Sequence, residues 1–174
     1  MMLYTKNVDK DGRTSIAIFS SDMSYRYVLS REIGDDDRSI AWIMLNPSTA
    51  DAFVNDPTVE RCQRRSVALG FGRMTILNLF AYRATRPEKM KEHVDPVGPR
   101  NDTVIKEEVR HAEMVVFAWG SHGTFLRRSS AVWRMLDEIA ISPWVLGFTK
   151  TFQPLHPLYV PYATPLLLSP PRPW

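Results

Sequence analysis

The residues best suited to chemistry sit where apolar runs end. Trp42 to Leu45 pass directly into Asn46, Pro47 and Ser48, and a polar loop then closes at Asp56-Pro57. Pro47 fixes its own φ and biases Asn46 toward extended backbone, so the carboxamide is held with little freedom at the end of an expected strand. Such an amide can hold water through its oxygen, or read a base edge with donor and acceptor together. The same dipeptide also commonly opens a plain loop. Asp51, Asp56 and Glu60 follow. Asp56 suits a helix cap and Glu60 a first turn, whereas Asp51 has no such task and becomes the candidate for activating water. The paired acids of sugar hydrolases do not follow from this linear spacing.

Further along, Phe117-Ala-Trp-Gly-Ser-His-Gly123 passes from strand to helix through two glycines. That leaves backbone N–H groups, Ser121 and His122 near a helix start, where a phosphate can bind and where an ordinary turn would look the same. No P-loop, dinucleotide fingerprint or serine-hydrolase elbow is present. His156, flanked by Pro154 and Pro157, sits in a stiff loop. An imidazole so held can stabilise negative charge on a leaving group, or fill a structural hydrogen-bonding role. Histidines 93, 111, 122 and 156 show no metal-ligand spacing with Cys62 or with one another, so neither a metal nor another cofactor is expected.

The elements that must position these groups are legible. "TSIAIFS" and "YRYVLSREI" suggest an antiparallel hairpin within an N-terminal extension, residues 1–38. Four apolar runs then recur, "SIAWIML", "MTILNLF", "MVVFAW" and "WVLGF", separated by helical or loop segments. This pattern predicts an α/β fold, three-layer α/β/α, with a central, mainly parallel four-stranded sheet. Helices are expected from Pro57 to about Gly70, from about Arg100 to His111 and from about Thr124 to Ile139. Val59, Cys62, Ser66 and Leu69 should share the buried face of the first. The third should carry Arg127, Arg128 and Arg134 away from its apolar stripe. Residues 149–174 read as an irregular, proline-rich tail. Ligands of an open parallel sheet bind beyond the strands' carboxyl ends, so Asn46, Asn78, residues 120–123, Lys150 and His156 should gather at one edge.

At 174 residues with 44% hydrophobic content, the chain suits a single domain, 1–174. No apolar run reaches the length of a membrane span and no leader pattern opens the chain, so a soluble, cytoplasmic monomer is expected. Net charge is only +3. Arginines 61, 64, 65 and 73, the pair Arg83 and Arg86, and the pair Arg127 and Arg128 form clusters that can meet phosphates or simply face solvent.

"MLNPSTAD", "LNLFAYRATRPE", "VVFAWG" and "HPLY", in this order, resemble a small uncharacterised family of bacteria and phages over roughly residues 39–160. That family is similar to the uracil-DNA glycosylase superfamily. The resemblance implies a monofunctional DNA glycosylase that flips a base and hydrolyses its N-glycosidic bond. Asn46 would position the attacking water as in mismatch-specific members, and Asn78 would read the flipped base. Phe80, Pro47, Ser48 and Asp56 would line the base site, with Asp51 as a further catalytic candidate. His156-Pro157 matches the start of the closing motif, with Leu158 and Tyr159 as a wedge. DNA, double- or single-stranded, would be held by Arg83, Ser121, His122, Arg127, Arg128 and Lys150. The serine-proline continuation of the closing motif is absent, and Met44-Leu45-Asn46-Pro47 replaces the motif of the most uracil-specific branch. A modified pyrimidine of phage DNA is therefore the expected target. A non-catalytic binder of modified bases and a nucleoside or nucleotide hydrolase are the alternatives.

Overall fold

The structure, a computed structural model, describes residues 2–170. Among them one sheet carries eight strands: β1 (Met2–Val8), β2 (Thr14–Ser20), β3 (Arg26–Glu32), β4 (Ser39–Met44), β5 (Arg73–Asn78), β6 (Met114–Phe117), β7 (Trp144–Val145) and β8 (Leu167–Leu168). Their order is β1-β2-β3-β5-β4-β6-β7-β8. β5, β4, β6 and β7 are mutually parallel, and each flanking strand pairs antiparallel with its neighbour in the sheet. The four expected strands thus form a parallel centre inside a wider mixed sheet.

The helices are α1 (Pro57–Ala68), α2 (Pro87–Lys91), α3 (Asn101–Val109) and α4 (Arg128–Asp137). β4 leads through α1 to β5 on one side, while β5 leads through α3 back across to β6 and β6 through α4 to β7. Right-handed crossovers running in opposite directions place their helices on opposite faces. Accordingly, Val59 and Cys62 of α1 pack with Trp42, Met44 and Ile76. Val104 and Ile105 of α3, and Val132 and Leu136 of α4, pack with Ile43, Leu77 and Phe117.

Several expectations are corrected. The N-terminal hairpin is continued by β1, and Leu29 pairs with Ile76, so these strands extend the main sheet instead of standing beside it. α4 begins at Arg128, because Leu126 and Arg127 take positive φ and break a 3-10 segment, Ser121–Arg127, from the helix. On α1 Val59, Cys62 and Ser66 are buried as expected, but Arg65 is buried with them, while Leu69 is 44% exposed. The fourth parallel strand shrinks to two residues, and the tail contributes β8 and a 3-10 turn, Pro157–Tyr159. The final four residues of the expected tail lie outside the described residues.

Buried guanidinium groups do much of the anchoring. Arg65 donates to the carbonyls of Val160, Pro161, Tyr162 and Thr164, tying down the proline-rich segment that has few hydrogen bonds of its own. Arg31 donates to Asp51 O, Ala52 O, Val54 O and Asn55 Oδ1, fixing the loop between β4 and α1. A lone guanidinium has five donors in a rigid fork, enough to gather several loop carbonyls that would otherwise be buried without partners.

Candidate functional site

The strand order reverses at β4 and β6, whose outgoing loops diverge to opposite faces and leave a crevice between them. A cavity of about 590 Å³ lies there. It is within the range of small-molecule sites. Asn46, Ser48, Asp56, Asn78, Ser121, His122, His156, Leu158 and Tyr159 all line it. Asn46 and His156, distant in sequence, therefore share one space, as strand-end geometry requires.

Each of the central side chains has a defined orientation. The Asn46 amide nitrogen donates to Ala84 O at 2.7 Å and Pro47 O at 3.1 Å. Because both neighbours are carbonyl oxygens, the atom facing them must be nitrogen, and Oδ1 is the end left to accept. Asn78, 2% exposed, ends β5 beside Met44 of β4. Its Oδ1 accepts from Arg26 Nη2 at 3.4 Å, and its Nδ2 donates to no described residue. Asp56 caps α1, with Oδ1 accepting from Thr58 N at 3.0 Å and Val59 N at 2.9 Å.

His156 caps the turn that follows it, with Nδ1 accepting from Leu158 N at 3.3 Å. Nδ1 is thus unprotonated, and the ring's remaining proton sits on Nε2 as a donor. Burial pulls its pKa down from the usual imidazole range to about 4, opposed by the nearby Asp56 carboxylate. At neutral pH the ring is an uncharged hydrogen-bond donor. His122 is exposed at the rim, where its Nδ1 lies 3.1 Å from Lys91 Nζ.

Other expected site residues fall elsewhere. Asp51 spends Oδ1 on Phe53 N and Val54 N, within its own turn, and does not line the cavity. It therefore has the structural task the sequence did not reveal. Phe80 is fully buried against Phe125, with ring centroids 5.7 Å apart, on the α3/α4 side of the sheet. Pro47 is buried and acts through its carbonyl, which accepts from Ala84 N. Arg83 donates to Met23 O and lies 5.1 Å over the Phe19 ring, bracing the hairpin. Arg128, expected to face solvent, is 5% exposed and donates to Leu79 O and to Asp102. Arg127 and Lys150 are exposed but outside the cavity lining.

Sequence reasoning missed Arg26 and Trp119, both in the lining. Arg26 reaches the cavity through a bulge. β2 and β3 slip register between Ile18 and Phe19, so Ile18 pairs with Val28 and Phe19 with Arg26. Val28 and Tyr27 consequently face the same core, and Arg26 turns to the α1 side, where Nη1 donates to Ala50 O at 2.6 Å. A bulge re-aims a side chain in this way because one extra residue reverses the alternation. The available signal was a charged residue inside the aromatic, β-rich "YRYVL" run. Trp119 Nε1 donates to Gln153 Oε1 at 3.0 Å, linking the cavity wall to the tail.

Among the described residues, no group of three or more His, Cys, Asp or Glu side chains could hold a metal ion, and no helix is long and apolar enough to cross a membrane. Fold and site together define an α/β protein with a cavity of mixed polar and apolar lining at the carboxyl edge of the sheet's parallel centre. The chain belongs to DUF1643, a family of proteins of unknown function, whose sequence profile matches residues 26–158. No curated protein and no solved structure matches it.

Proposed function

We propose that this protein is a DNA glycosylase, related to the uracil-DNA glycosylase superfamily, that flips a base into the cavity and hydrolyses its N-glycosidic bond. One observation carries the reading: Asn46, Asn78 and His156, from three loops or strand ends, line a single cavity. In the reaction, a water held by Asn46 Oδ1 attacks C1′ of the sugar. The C1′–N bond breaks with its electron pair passing to the base, the water gives up a proton to Asp56, and Nε2–H of His156 hydrogen-bonds the base atom that gains negative charge. Asp56 takes this part in place of Asp51, whose carboxylate is committed to its own turn. Extruding a base costs a few kcal/mol of stacking, which phosphate contacts and a wedge must offset. Tyr159, 81% exposed at the cavity mouth, is suited to the wedge together with Leu158. Ser121, His122, Arg127 and Lys150 are the accessible phosphate partners.

A second reading, hydrolysis of a free nucleoside or nucleotide, is favoured by the internal use of the arginines. Arg26, Arg31, Arg65 and Arg128 are all buried and bonded to loop carbonyls or side chains, so these four are not offered to a long phosphate backbone. One experiment separates the two. Oligonucleotides bearing uracil, mismatches or modified cytosines and thymines are incubated with the protein and treated with alkali, alongside the corresponding nucleosides. Strand breaks that disappear in Asn46→Ala support the glycosylase, whereas base release from nucleosides alone supports the second reading. Binding of the oligonucleotides with release from neither would make the protein a recognition module.

A further inference from the structure

The two edges of the sheet are protected very differently. β8 is two residues long and is flanked by Pro165 and Pro170, whose missing N–H groups discourage further pairing. β1 runs for seven residues, Met2–Val8, in unbroken register with β2, and carries no proline, no bulge and a single charge, Lys6. Such a strand is a ready template for another.

The hairpin decides which backbone groups β1 offers. Asp9 N donates to Arg13 O at 3.0 Å, so the odd-numbered residues of β1 spend their N–H and C=O groups on β2. Ser20 N, opposite Met2, donates away from β1 to Tyr25 O, as that alternation requires. Met2, Tyr4, Lys6 and Val8 therefore point their backbone groups outward. Their side chains share one face of the sheet, on which Tyr4 is 65% and Val8 53% exposed.

Against a second copy of itself, the strand has one antiparallel register that uses all four residues. Centred on Thr5, it sets Met2 against the partner's Val8 and Tyr4 against the partner's Lys6, and every outward N–H meets an outward C=O. Apolar meets apolar, and a cation meets an aromatic ring. A slip of two residues leaves outward groups unpaired at both ends, and in one direction it also opposes Lys6 to the partner's Lys6. A slip of one residue sets outward groups against inward ones.

We propose that β1 is a dimerisation edge, pairing antiparallel with β1 of a second copy in the register centred on Thr5 and joining the two sheets into one. The two-fold axis stands perpendicular to the sheet at Thr5, so the contact is isologous and closes on itself. A dimer of this kind takes the place of the monomer expected from the sequence. Three strands, β2, β3 and β5, separate β1 from β4, so both cavities stay open and the pairing is independent of what they bind. β1 and β2 also precede the residues that the family profile matches.

Sedimentation equilibrium of the full chain from about 1 to 100 μM provides the test. One strand pair buries little area, so the dissociation constant should fall within that range. Tyr4→Lys, at an exposed site, should stay folded by circular dichroism and weaken the dimer at least about tenfold, because it opposes lysines at both symmetric positions. Adding Lys6→Glu to that variant should restore pairing to near wild-type strength, which a general disturbance of β1 would not do. Amide exchange followed by NMR reads the register: Tyr4, Lys6 and Val8 should be protected in the dimer and lose protection on dilution, while Leu3, Thr5 and Asn7 stay protected by β2 throughout. A wild type that remains monomeric across the range would overturn the inference. So would a dimer that Tyr4→Lys leaves intact, or one in which the Tyr4, Lys6 and Val8 amides exchange freely. Protection of those amides that arises only with an extended peptide from another protein would give the edge a different occupant and overturn it as well.

Discussion

Nδ2 of Asn46 donates to the carbonyl oxygen of Ala84 at 2.7 Å, joining the loop after β4 to the loop after β5. The orientation of the amide is thereby decided by the fold before any ligand enters. Asn46→Asp places a carboxylate against two carbonyl oxygens, and should lower stability by about 1–2 kcal/mol in urea melts. Asn46→Ala should fold normally and reduce base release by roughly 10²–10⁴ in single-turnover assays, through loss of the positioned water.

Arg31 grips three carbonyls and a carboxamide of the loop 51–55 from a neighbouring strand. Burial lowers its pKa, with Asp51 and Asp56 opposing that effect. Arg31→Met should cost on the order of 3 kcal/mol, since the loop carbonyls lose their donors. Hydrogen exchange should rise first between residues 50 and 56, because three carbonyls and a carboxamide of that loop lose the donor that ties them to β3.

His156 makes a pH prediction whose sign follows from its direction of shift. Its folded pKa, about 4, lies below that of a free imidazole, about 6.5, so between these values the unfolded chain binds the extra proton. The stability it contributes is complete above pH 6.5 and is lost as pH falls toward 4, to a limit of no more than about 3 kcal/mol. Chemical denaturation of wild type and His156→Asn across this range should show a smaller loss in the variant. Identical pH profiles would mean that the imidazole is not held in its neutral form.

Arg127 and Arg128 adjoin in sequence but should behave oppositely. Arg127→Ala, at an exposed site, should leave the melting temperature nearly unchanged and reduce the salt slope of duplex binding by about 0.9 if it meets one phosphate. Arg128→Ala should instead destabilise by about 2–4 kcal/mol, because it empties a buried site, leaves Leu79 O with Asn101 Nδ2 as its side-chain donor and frees Asp102. A salt titration and a thermal melt of each variant check both.

Gly123 has no room for a side chain. A Cβ there would stand 2.2 Å from Trp119 Cδ1 and 2.4 Å from its Nε1. Gly123→Ala must displace the indole and break its bond to Gln153, with a cost of about 1–3 kcal/mol. Tryptophan fluorescence should shift as the ring moves in the cavity wall.

Much of this was legible in the chain itself. Four uninterrupted apolar runs spaced by helical segments determined a parallel sheet, because strands covered on both faces need no polar alternation. Asn46, Asn78 and His156 then had to meet at one edge, since parallel strands point their carboxyl ends the same way. Local signals also settled α1, where Asp56 and Pro57 supply cap and first turn. What required the tertiary structure were relations that no local spacing encodes. A one-residue bulge sent Arg26 into the cavity, and two positive-φ residues delayed α4 until Arg128, which the helix then buried. Asp51 lost its freedom to its own turn, and arginines that looked like a phosphate surface turned inward to hold loop carbonyls. A side chain's type limits what it can do, but whether a charge meets solvent, a carbonyl or a ligand is decided by which distant backbone is packed beside it.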